Sequence, residues 1–295
     1  MNEFEIKDGV LVKYNGGAAD VTVPDGIRSI GKHAFYSSDV QSAFLPDSVE
    51  TIEESAFWHC ENLQSIVLPE SVTAIGEGAF YNCTALRSIN IPNGVGIIGE
   101  YTFYNCRNLQ SIVIPDSVTA IGANAFNECE NLQSAFLGDG VRTIGEEAFA
   151  VCTRLQSIRV SESVKTVGNG AFFGCEKLAD SHDMVVVCNI LFEYCGEESD
   201  VTVPDGITEI SEFAFIDCDT VRSITVPNGV TAIGDWAFYD CKSLRRVTFP
   251  ESVTFIGENA FEGCEDLKSI GGVSDSYAEI YASNQKIPFQ KILLP

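Results

Sequence analysis

The chain has 295 residues, 45% hydrophobic and 10% aromatic, which is enough for a sizeable core, and it carries 42 acidic against 18 basic residues for a net charge of −24. That charge excludes a nucleic-acid binder, because phosphates demand a basic face, and it disfavours anionic membranes. No apolar run approaches the ~20 residues of a membrane span, and the opening MNEFEIKDGVLVKYNGG has no basic stretch followed by an apolar one, so neither membrane insertion nor a secretory leader is expected.

In chain order, Phe4 to Ile6 and Val10 to Tyr14 flank Asp8-Gly9, a strong two-residue turn signal, and predict an entry hairpin. A motif then returns almost every 23 residues. It is marked by Phe35, Phe57, Phe80, Phe103, Phe126, Phe149, Phe172, Phe215, Phe238 and Phe261. All but Phe103 follow an alanine, and all but Phe35 are followed three positions on by a cysteine: Cys60, Cys83, Cys106, Cys129, Cys152, Cys175, Cys218, Cys241 and Cys264. A fixed period of this size means stacked coils, none of which can bury its apolar face alone.

The stretch LQSIVLPESVTAIGEGAFYNC, Leu63 to Cys83, holds one coil. Ile66 and Leu68 alternate onto one face of a short strand, Pro69 ends that strand, and the acidic or amide residue after it suits a turn. Val72 and Ile75 return inward, and Gly76 sits where a side chain would obstruct the bend. The segment GEGAFYNC predicts a single helical turn whose phenylalanine fills the gap between coils. One cysteine per coil offers no CxxC pair, and eleven cannot pair completely, so the ladder reads as buried free thiols. A disulfide between adjacent coils, whose equivalent residues lie about 4.8 Å apart, is the alternative. Cys188 and Cys195 lie outside the ladder and are the expected accessible thiols.

The period breaks between Phe172 and Phe215. There, residues 189–215 align without a gap on residues 9–35 at a constant offset of 180, and the string DVTVPDGI recurs intact. The organisation predicted is a first repeat module over residues 1–180 with its hairpin, a second over 181–270 with a hairpin turning at Cys188-Asn189, and a C-terminal cap over 271–295. The cap is expected as a short helix from about Tyr277 to Ser283 followed by an extended Ile287 to Leu293.

The repeated string, as in SIVIPDSVTAIGANAFNEC from Ser111 to Cys129, resembles the BspA-like bacterial leucine-rich repeats, as do the opening Gly9 to Gly16 and the closing Tyr281 to Phe289. The resemblance implies an α/β repeat fold: a right-handed leucine-rich-repeat solenoid, here of about ten 23-residue coils with short parallel strands. It implies adhesion or interaction rather than catalysis, and a cell-surface or secreted location. The sequence as given shows neither a leader nor a wall-anchoring tail, which leaves the location open between the surface that the resemblance implies and the cytoplasm.

Chemistry is not legible elsewhere. His33, His59 and His182 share no spacing with Cys, Asp or Glu that makes a zinc or general-base site, so no catalytic residue, metal or cofactor is expected. The outward strand positions remain. One is a near-constant column of serines from Ser42 to Ser223; the other varies through Phe44, Val67, Asn90, Val113, Phe136 and Arg159. Exposed apolar groups in a contiguous patch mark interaction sites, and these six are the candidate partner-binding residues. The expectation is a monomeric, non-enzymatic scaffold that binds a protein or glycan through this strand face. The alternative is a structural spacer without a specific ligand.

Overall fold

A computed structural model describes residues 3–292, and the chain forms two compact units, residues 1–178 and 179–295. The first opens with the antiparallel hairpin Phe4–Lys7 and Val10–Tyr14, turning on Asp8 and Gly9 with φ of +51° and +79°. Val10–Tyr14 then pairs in parallel with Ser29–Ile30, which starts a row of two-residue strands, one per coil. A second row carries the longer strands Asp20–Thr22, Ser42–Phe44 and Ser65–Val67, and beyond them Ser111–Ile114, Ser134–Leu137 and Ser157–Arg159. Register is exact in residue type: Ser111 faces Ser134 and Ser134 faces Ser157.

The second unit repeats this plan. Met184–Val187 and Ile190–Tyr194 form its hairpin, turning on Cys188 and Asn189 with φ of +52° and +63°. Asp200–Thr202, Ser223–Thr225, Arg246–Thr248 and Ser269–Gly272 then stack in parallel. Tyr14 and Tyr194 reinforce the duplication, since each hydroxyl accepts the backbone N–H four residues on, of Ala18 and Glu198, at 3.1 Å. The unit closes with a helix, Tyr277–Gln285, capped by Ser276, and with Phe289–Lys291 added in parallel to the last coil. The expected extended segment reaches Leu293, which lies outside the described residues.

Two expectations need correction. The two units together carry about 12 coils rather than ten, because the strands Ser269–Gly272 and Phe289–Lys291 are rungs without a ladder phenylalanine to count them by. The helical turn over GEGAFYNC is also absent, because Gly78 and Asn82 both take φ of +57°. In the coil before, Ser55 and His59 do the same, and alternate N–H groups point in different directions. Phe57 N donates to Ala79 O of the next coil at 2.8 Å and His59 N to Tyr81 O at 2.8 Å, while Trp58 N turns back to Ser55 O at 3.1 Å. A helical turn would spend every N–H inside its own coil. The alternating turn keeps half of them for the neighbour, as buried backbone groups require.

The ladder phenylalanines run as one column through a core otherwise built of Ile, Val, Leu and Ala. Phe35, Phe57, Phe80, Phe103, Phe126, Phe149 and Phe172 are fully buried and stack at 4.7 to 5.4 Å between centroids. Each ladder thiol of the first unit donates to the phenylalanine carbonyl of the coil before it, from Cys60 Sγ to Phe35 O at 2.9 Å through Cys175 Sγ to Phe149 O at 3.2 Å. Cysteine therefore does more than fill space: its weak S–H donor adds a second bond to a carbonyl that already accepts the N–H three residues on, a bond no other small apolar side chain could supply. The glycine that follows most of the two-residue strands, with Glu53 and Ser211 in its place in two coils, marks close coil contact rather than unusual φ. A Cβ on Gly122 would lie 2.6 Å from Glu100 N.

Candidate functional site

The strand face of the first unit presents the six candidate residues in one column. Backbone register puts Phe44 beside Val67, Val113 beside Phe136, and Phe136 beside Arg159, with Asn90 in the intervening coil. Strand alternation turns Ile66 and Ile112 inward and leaves Phe44 64%, Val67 66%, Val113 61% and Phe136 42% exposed. Arg159 lays its guanidinium 4.5 Å from the Phe136 ring centroid and reaches Asp139 Oδ1 at 3.2 Å, so it closes one end of the apolar column with a charge.

Asn90 interrupts the sheet. The coil that carries it is joined to its predecessor in the strand ladder by a single bridge, Ser65 to Ser88, which separates the strands ending at Val67 from those beginning at Ser111. In place of regular pairing, Asn90 Oδ1 accepts from Leu68 N at 2.9 Å and Asn90 Nδ2 donates to Leu68 O at 2.8 Å. The side-chain amide stands in for a strand. The result is a cleft of about 720 Å3, lined by Val67, Asn90, Val113 and Phe136, with Asn93 and Asp116 on its flank. Exposed Asp47, Glu70, Asp116 and Asp139 run parallel to the apolar column three residues downstream, while Gln41, Gln64, Gln110 and Gln133 run three residues upstream. The face thus has an apolar spine, a neutral amide edge and an acidic edge.

A second surface feature escaped the sequence reading. Trp58, Tyr81 and Tyr104 follow the ladder phenylalanine of three successive coils and stack at 4.0 and 4.7 Å with planes within 9°. Tyr104 ends the stack by donating to Glu128 Oε1 at 2.6 Å, a contact that, with burial, holds its hydroxyl well above the usual range. The signal was available as an aromatic residue after phenylalanine in consecutive repeats. Asn90 was also singled out without its role, although it is the one amide in a column of Phe, Val, Thr and Arg.

The histidines do not assemble a site. His59 lies by Glu61 and Asn82, His182 by Asp180, and His33 packs against Tyr36. Among the described residues no group of three or more His, Cys, Asp or Glu side chains is arranged to hold a metal ion, and no helix is long and apolar enough to cross a membrane.

Parallel rungs at a 23-residue period with an inward aliphatic ladder define a leucine-rich-repeat solenoid. More narrowly, the chain belongs to the BspA-type leucine-rich-repeat family, whose profile matches residues 13–98, 74–182 and 186–283 in six copies. Its fold is similar to that of a leucine-rich cell surface protein from Faecalibacterium prausnitzii, at 24% identity over 95% of this chain and 94% of the other, with a TM-score of 0.64. A leucine-rich-repeat protein from Bacteroides ovatus matches at 24% identity over 99% of both chains, also with a TM-score of 0.64. The T. pallidum leucine-rich-repeat protein reaches 31% identity over 60% of this chain and 87% of its own, with a TM-score of 0.57. No curated protein matches the chain.

Proposed function

We propose that the chain is a non-enzymatic binding scaffold that engages a protein or glycan through the strand face of its first unit, at the cell surface. The observation that carries this reading is the exposed apolar column Phe44, Val67, Val113 and Phe136, on positions where nothing in the coil's own packing calls for apolar side chains. The cleft at Asn90 adds a place for an inserted group, and the acidic edge adds selectivity for a partner with basic residues on that side. Two registered pairs of coils, one on each side of the Asn90 coil, offer the extended surface that large partners need. The second unit lacks the feature: its equivalent column is Thr202, Thr225 and Thr248, which suits an extension of the scaffold rather than a second apolar site.

The test is capture from extracts of the source cell and its surroundings, using the wild type and a Phe44→Ser/Phe136→Ser variant of matched thermal stability. A partner retained by the wild type and lost by the variant supports the site. Identical profiles from the two folded proteins refute it and favour a spacer without a ligand.

A further inference from the structure

The ladder thiols of the two units differ in access. In the first unit all six, Cys60 through Cys175, are buried; in the second, buried Cys241 lies between half-buried Cys218 and Cys264. Cys264 also lines a cleft of about 350 Å3 between the last phenylalanine-bearing coil and the capping helix, together with Glu258, Glu262, Tyr281 and Gln285. Behind it, one carbonyl gathers two cysteines: Phe238 O accepts Cys264 Sγ at 3.0 Å and Cys241 N at 3.4 Å. The Cys241 thiol is itself bonded to Phe215 O at 2.8 Å. Equivalent residues of adjacent coils are separated by about 4.8 Å, inside the Cα range that a disulfide spans.

We propose that Cys264 and Cys241 form a peroxide-sensitive thiol pair, in which a neutral hydroperoxide entering the cleft oxidises Cys264 and Cys241 then closes a disulfide between consecutive coils. In the first step the Cys264 sulfur attacks the peroxide, an S–O bond forms as the O–O bond breaks, and water or an alcohol leaves with the thiol proton. In the second the Cys241 sulfur attacks Cys264, an S–S bond forms as the S–O bond breaks, and a second water carries away the Cys241 proton. Two thiols have then given two electrons to one peroxide. The division of roles follows access: the attacking sulfur opens to the cleft and the resolving sulfur is sealed behind it.

Glu258, Glu262 and Asp240 make the approach acidic, so the oxidant that fits is uncharged rather than an anionic disulfide such as oxidised glutathione.

The test treats the full chain carrying Cys188→Ser and Cys195→Ser with hydrogen peroxide, then alkylates and maps the peptides by mass. The expected product is a Cys241–Cys264 disulfide, with the thiols of the first unit still alkylated. Adding Cys241→Ser should leave a sulfenic acid on Cys264 that dimedone traps, with an unchanged circular dichroism spectrum. Oxidised glutathione at equal concentration should react roughly ten-fold more slowly. A Cys264 that stays reduced at peroxide doses that oxidise Cys188 of the unsubstituted chain would overturn the proposal. So would a disulfide joining Cys218 to Cys241 in place of Cys264.

Discussion

Truncating one ring of the ladder should cost far more than truncating one ring of the strand face. Phe126 is fully buried, with Phe103 at 5.2 Å on one side and Phe149 at 5.0 Å on the other. Phe126→Ala removes its transfer free energy and leaves a cavity that the fixed coil spacing cannot close, a loss of about 3–5 kcal/mol. Each lost ring pair contributes about 0.5–1.5 kcal/mol beyond area, which places the change toward the top of that range. At about 2–4 °C per kcal/mol for a unit of this size, Tm should fall by roughly 6–20 °C. Phe136→Ser is the matched control. Its ring is 42% exposed and its one charged contact is Arg159, so it should cost no more than about 1 kcal/mol. Thermal unfolding followed by far-ultraviolet circular dichroism reads both. Equal drops for the two variants, or a loss below about 1 kcal/mol for Phe126→Ala, would refute the assignment of one column to core and the other to surface.

A thiol reagent added to native protein should modify Cys188 and Cys195 first and Cys218 and Cys264 slowly, and should reach the buried ladder only after denaturation; rapid labelling of most thiols would contradict the buried ladder. Burial pushes the Cys60 and Cys129 thiols up to about 12, above the value of about 8.5 of an unfolded chain. Their contribution to stability is therefore whole below pH ~8.5 and lost as pH rises toward 12, because only the unfolded state releases the protons in that window. The denaturation midpoint should fall between pH 8 and pH 10.5, and a flat profile would count against it. Asn90→Ala deprives Leu68 N and O of both partners and should destabilise by about 1–3 kcal/mol, measured by urea unfolding, whereas no change would mean that water replaces the amide freely. Because the chain carries a net charge of −24 and a carboxylate follows the strand end in most coils, Asn93 and Asn228 excepted, Tm should rise modestly from low salt to 0.3 M, and an unchanged melt would exclude self-repulsion along that edge.

Much of the fold was legible because it repeats. A 23-residue period fixes which residues stack, so the ladder, the rungs and both hairpins followed from spacing and from Asp8-Gly9 and Cys188-Asn189. The turn side was not, because GEGAFYNC is the right length for a single helical turn, and only the need to share N–H groups between coils selects left-handed Ser55, His59 and Asn82. The candidate column was legible as outward positions of strands whose inward partners were plain. Asn90's bond to Leu68, and the cleft it opens, depend on where a single amide side chain lies between two coils, which no periodicity encodes. The aromatic row at Trp58, Tyr81 and Tyr104 was masked by the stronger phenylalanine signal one residue earlier.

The most direct measurement places a photoreactive phenylalanine analogue at Phe136 in the strand face of the first unit, and at Thr225 in the equivalent column of the second. Irradiation in extracts of the source cell and its surroundings should cross-link a discrete partner from position 136 and none from position 225. Cross-links of equal yield and pattern from both positions, or from position 225 alone, would contradict a binding face built on the apolar column.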